Sequence, residues 1–179
     1  MAKNQSKNSE SAIKVESRLE EFFLEELKDV YGAEKQITKA LPEMMEAANS
    51  PELRQALEEH LDITQAQISR LEECFDHLGE KVSSKKCDGM EGIIDEGQEV
   101  IKDTEDGTAT RDVALIMAAQ KVEHYEIATY GSLVQLANTL GFTDIAELLQ
   151  ATLDEEKEAD LKLTDIAMND INYEASEEM

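Results

Sequence analysis

The chain has 179 residues, a mass of 20.0 kDa, 41 acidic residues against 17 Lys and Arg, a formal charge of −24 and a pI near 4.3. That balance excludes nucleic-acid binding, which needs clustered Lys and Arg for phosphate contacts, and it disfavours anionic membrane surfaces for the same reason. With 41% hydrophobic residues, two Pro and eight Gly, the composition predicts one helical domain with a real core rather than a sheet.

The opening stretch MAKNQSKNSESAIKVE is polar and lacks a core pattern, so residues 1–16 are expected to form a flexible tail. It carries no apolar run of the signal-peptide kind. Cys74 and Cys87 are the only cysteines, without a CxxC, and both facts predict a cytoplasmic protein. Ser17 can cap a first long helix whose Leu19, Phe22, Phe23, Leu27, Val30, Tyr31, Ile37, Leu41, Met45 and Ala48 recur at intervals of three and four. Ser50-Pro51 ends it near Asn49 and opens a second helix, which Gly79 stops after Leu78. A loop from Glu80 to Asp88 leads to a shorter helix over 89–103 on Met90, Ile93, Ile94, Val100 and Ile101. After the Asp106-Gly107 turn, a third long helix spans about Thr110 to Leu140, and Thr143 caps a fourth that reaches about Asn169.

These elements predict an all-α, antiparallel four-helix bundle with an additional short crossover helix, occupying residues 17–172, and a C-terminal tail over 173–179. A short internal repeat agrees: laying Ala56–Leu71 over Leu148–Leu163 superposes Leu57 on Leu149, Leu61 on Leu153 and Leu71 on Leu163, as two similar hairpins require.

Glu34, Glu123, Glu126 and Glu156 fall on stripes otherwise built from apolar residues. One unpaired buried carboxylate is costly and several facing one another repel, so a cation is the simplest partner that lets the chain keep them. Heights agree with phase. Glu34 stands 16 residues before Ser50, Glu126 stands 15 before Gly141 and Glu156 stands 15 after it, which at ~1.5 Å per residue brings them to one level of the bundle. On the second helix that level is Thr64 to Gln67, with His60 one turn nearer the hairpin end; Asp160 follows Glu156 by a turn. Bundle cores with a Glu from each of two helices and a Glu-x-x-His pair from each of the others bind two iron or manganese ions. Here no Glu-x-x-His occurs, and Glu123-x-x-Glu126 and Glu156 with Asp160 take its place, so the predicted site is rich in oxygen. The predicted ligands are Glu34, His60, Glu123, Glu126, Glu156 and Asp160, with iron as a di-iron centre, or manganese, as the cofactor. Tyr31, Tyr125 and Tyr130 are close enough in sequence to serve as electron donors.

The segments DVYGAEKQITKAL, EEHL, KCDGMEGIIDE, AAQKVEHYEIATYGSL and LDEEKEADLKLTDIA resemble the ferritin-like bacterial stress proteins of the YciF/YciE family, over about Leu19 to Asn172. The resemblance implies a ferritin-like four-helix domain with an added short helix, a dimer, a link to stress responses and a di-iron site. Where relatives typically read His-Leu-Glu-Glu-Thr, this chain reads His60-Leu61-Asp62-Ile63-Thr64, which removes a carboxylate. Two functions are expected from these readings. One is a di-metal carboxylate protein reacting with O2 or peroxide; the other is a non-enzymatic dimeric helical stress protein with a degenerate metal site. The expected partners are metal ions and a second copy of the chain, the latter through Phe22, Phe23 and the 89–103 helix.

Overall fold

Ser17 opens the first helix with a reciprocal cap, accepting from the Glu20 amide while the Glu20 carboxylate accepts from the Ser17 amide. The computed structural model describes residues 17–179, so the expected tail over 1–16 lies outside the described residues. Helix α1 spans Arg18–Ala47, α2 Pro51–Leu78, α3 Asp88–Asp103, α4 Ala109–Leu140 and α5 Thr143–Ile166. No strand occurs among the described residues.

Helices α1 and α2 form one hairpin and α4 and α5 the other; α2 packs on α5 and α1 on α4, closing a four-helix bundle, while α3 lies across α1 and α4. Asp112 of α4 ties the two hairpins together by accepting the Asn49 and Ser50 amides at 2.8 Å each. Gly79 and Gly141 end α2 and α4 at φ 69° and 78°, the left-handed conformation that glycine adopts without a Cβ clash. The loop into α3 runs so close to α1 that Lys85 donates its amide to the Lys28 carbonyl at 3.0 Å directly over Gly32.

Several ends differ from the sequence expectation. Thr143 is the first residue of α5 and not its cap; Phe142 occupies the cap position without a side-chain hydrogen bond. The chain does not turn into a tail at residue 173. It passes from α5 through one π turn over Ala167–Ile171 into a short helix α6, Asn172–Glu177. Glu178 then accepts from the Ala109 and Thr110 amides and the Thr110 hydroxyl, capping the start of α4. Phe23, expected on an outer surface, is fully buried with its ring 5.9 Å from that of Phe142, whereas Phe22 is 52% exposed.

The apolar core falls into two clusters. One, around Phe23, Leu27, Phe75, Leu133 and Leu149, fills the end where α2 and α4 finish. The other, around Ile37, Leu53, Met90, Leu115 and Leu163, fills the end roofed by α3. Between them lies a layer into which all four bundle helices turn buried polar side chains.

Candidate metal centre

That layer is built by phase. His60, Thr64 and Gln67 follow one another at spacings of four and three on the inner face of α2, and all are buried. Helix α4 contributes Glu123 and Glu126, α1 contributes Glu34 and α5 contributes Glu156, each no more than 2% exposed. Each helix carries leucine-like residues on the same stripe above and below, so the apolar clusters drag these polar groups inward.

Ligand atoms of His60, Glu123, Glu126 and Glu156 all lie within 4.8 Å of one another. Ligands on opposite sides of a cation with ~2.1 Å bonds stand at most ~4.2 Å apart, so a small contraction closes this set around an ion. Glu34 completes the layer beside Glu126 and Glu156 and accepts a short hydrogen bond from the Tyr130 hydroxyl. Gln67 donates a short hydrogen bond to Glu156 and a second, at 3.2 Å, to Glu155. Arg70 grips Glu155 through two 2.8 Å hydrogen bonds and reaches Thr152 at 2.6 Å, which fixes α2 against α5 beside the layer. Asp160 stands apart from the group. It accepts from Gln120 at 3.1 Å and meets His124 at 3.2 Å, at the rim of the bundle.

The electrostatics are those of a site short of positive charge. Burial and the facing Glu156 push the Glu34 carboxyl up to about 8. Glu123 and Glu126 rise well above the ordinary carboxylate range, first through burial and then through their acidic neighbours, Glu156 for Glu123 and Glu34 for Glu126. Burial lowers the pKa of His60, which favours the neutral imidazole that metals bind. Its Nε2 lies 3.5 Å from Glu123, yet neither ring nitrogen has a hydrogen-bond partner.

Among the described residues, every buried side-chain nitrogen or oxygen without a hydrogen-bond partner belongs to this layer: Glu34, His60, Gln67, Glu123, Glu126 and Glu156 supply them all. Buried polar groups are normally paired. Here the unpaired atoms are almost all acceptors, concentrated at one point, and they are the hard oxygen and imidazole donors that suit iron and manganese. The residues fit a metal.

Gln67, Tyr130 and Arg70 complete the site as partners of its acids. Gln67 falls at the level that counting along the second helix marks out; Arg70 gives no signal, because its role depends on Glu155 of a distant helix. Of the other tyrosines, Tyr31 donates to Glu72 at 2.8 Å, and Tyr125 sits 2.9 Å from the Cys87 sulfur, so neither hydroxyl joins the carboxylate layer. Ile63 is half-buried, one position short of the inward Thr64.

Residues 18–176 match the family described as Domain of unknown function (DUF892), and the chain belongs to that family. It is 48% identical over 158 residues to Protein YciF of Escherichia coli K12, covering 88% of this chain and 95% of that protein. The crystal structure of the E. coli stress protein YciF superposes with a TM-score of 0.83 at 47% identity, covering 88% of this chain and 99% of the other. YcfI from Rhodopseudomonas palustris superposes at 0.80 with 44% identity, covering 84% and 94%. The fold is therefore the ferritin-like helical fold of these relatives.

Proposed function

We propose that this protein is a metal-binding stress protein whose four-carboxylate layer holds two divalent ions, iron or manganese. The observation that carries the reading is the confinement of all unpartnered buried polar atoms to that one layer. Charge balance favours two ions, since four carboxylates are neutralised by two divalent cations and a single ion leaves an excess. Glu34, Glu123, Glu126 and Glu156 would hold the ions, with His60 as the nitrogen ligand. Tyr130 fixes the rotamer of Glu34, and Gln67, itself held beside the Arg70–Glu155 pair, orients Glu156. When bound, such a metal pair supplies one-electron chemistry toward O2 or peroxide. The link to stress rests on the likeness to YciF. A cytoplasmic setting is supported by the two free, buried cysteines.

The test is the metal content of protein purified without chelator or added metal, measured by elemental mass spectrometry. About two iron or manganese ions per chain are expected. Saturating either metal should also raise the melting temperature of the stripped protein by mass action. Metal-free protein whose melting is unmoved by both ions would instead leave a helical stress protein acting through protein contacts, the reading that Ile63 and the missing Glu-x-x-His favour.

A further inference from the structure

A second feature meets the acid layer from the side. Beneath α3 lies a cavity of about 30 Å³ that reaches from the α1–α3 surface down to His60 and Glu123. Its walls are Ile37 and Leu41 of α1, Ile94 of α3 and Val122 of α4. The space exists because the facing positions are small. Gly97 of α3 meets Ala118 and Ala119 of α4, and a Cβ built at Gly97 would only reach ordinary contact with Ala118, at 3.7 Å. At the surface, Gln98 donates to Glu43 at 3.0 Å, joining α3 to α1 beside the cavity.

A volume of that size exceeds the ~10–15 Å³ needed for one water, but a water there needs two to four polar partners, and away from the layer the inner walls offer none. Water therefore finds partners only at the His60–Glu123 floor, and the apolar stretch above it is the kind of space that stays dry and takes up apolar atoms and small molecules. Ions are excluded more strongly still, because they would shed their hydration against isoleucine and valine. The polar groups nearest the layer at the surface, Asp160 and His124, lie instead on the α4–α5 side.

We propose that the cavity beneath α3 is the access pocket for a small, uncharged, apolar molecule, dioxygen, which it delivers to the His60–Glu123 edge of the metal centre. This rests on the metal-binding reading above. The pocket is selective: its apolar walls admit the neutral gas and turn away hydrated cations. Ile94, half-buried at the roof, is the position from which a larger side chain would close it.

The experiment uses the full chain loaded with zinc, a diamagnetic ion, with methyl-labelled Ile, Val, Leu and Ala. Dissolved dioxygen, which is paramagnetic, is compared with argon at equal pressure by NMR relaxation. The methyls of Ile37 and Ala119 should relax several-fold faster under dioxygen than the similarly buried methyls of Leu133 and Leu149 in the opposite cluster. In Ile94→Trp that excess should disappear while the zinc titration is unchanged. Ala119→Leu, which fills the cavity from α4, should give the same loss if Ile94→Trp misfolds. Zinc bound but no excess relaxation at the cavity methyls, or an excess that survives both variants, overturns the access pocket alone. Failure of the wild-type chain to bind zinc, manganese or iron overturns the metal reading, and the access pocket with it.

Discussion

At the scale of single residues, the acid layer places competing demands on the metal-free protein. The folded pKa of Glu34, about 8, lies above the ordinary value of 4.5, so the native state holds a proton that the unfolded chain releases between those limits. Stability from this group is therefore fully present below about pH 4.5 and is lost as pH rises to about 8; Glu123 and Glu126, also raised, act in the same direction. His60 opposes them, since its lowered pKa means the unfolded chain takes the proton first as pH falls below its ordinary 6.5. Three acids outweigh one imidazole, so urea denaturation of stripped protein should show stability falling by on the order of a few kcal/mol between pH 5 and 8. Stability that climbs with pH over that window would show the layer to be hydrated and ionised. With manganese present the trend should weaken or reverse, because protons compete with the ion for the same oxygens.

The same reasoning separates the ligands. Glu156 lies among the other three acids and is held by Gln67, so Glu156→Ala should abolish metal binding, whereas His60→Ala, which removes one neutral donor, should weaken it. Calorimetric titration with manganese checks both. Wild-type affinity in Glu156→Ala would place any metal elsewhere. In the stripped protein Glu156→Ala should not be destabilising in the usual way of a cavity, because it also relieves buried repulsion.

At the scale of elements, local signals wrote most helix starts and stops, and tertiary contacts wrote the exceptions. Ser17, Ser50 and Gly79 were readable because a cap needs only its own few neighbours. The end of α5 was not. Ile166 and Ile171 are both buried but stand five residues apart, which in a regular helix puts them about 140° out of phase. The wider π turn brings Ile171 back to the core face, a demand that comes from the surface of α4 and leaves no periodic trace in the sequence.

Gly32 makes the same point and gives a test. A Cβ there would stand 1.7 Å from the Lys85 carbonyl oxygen, which is backbone and cannot rotate away. Gly32→Ala should cost at least about 2 kcal/mol and loosen the loop that leads into α3. Gly92, inside α3 with nothing within 4 Å of its added Cβ, is the control. Gly92→Ala should stabilise by about 1 kcal/mol through helix propensity alone. Chemical denaturation of the two variants decides it, and equal effects of the same sign would contradict the close packing of the loop on α1.

At the scale of the whole molecule, a charge of −24 keeps copies of the chain apart unless an apolar surface draws them together. Phe22 is the best candidate for such a contact, exposed beside a surface hollow that Tyr125, Ala128, Leu133 and Leu136 help to line. We expect a homodimer through this α1–α4 face, and light scattering at tens of micromolar should show Phe22→Glu as monomer. A wild-type monomer under those conditions would remove the dimer.

The helical class, the hairpin pairing and the inward phase of Glu34, His60, Glu123, Glu126 and Glu156 are written in the chain, because each follows from periodicity within one helix and counting from its own turn. No helix among the described residues is long and apolar enough to cross a membrane, in keeping with the lack of long apolar runs. Which acids meet depends on how the helices pack. Asp160 shares the stripe of Glu156 yet turns to Gln120 and His124 of α4, partners that the phase of its own helix does not reveal. The Arg70 clamp, the Tyr130 bond to Glu34 and the cavity beneath α3 likewise join residues far apart in the chain. Their geometry is set by how the helices pack, and no single helix encodes it.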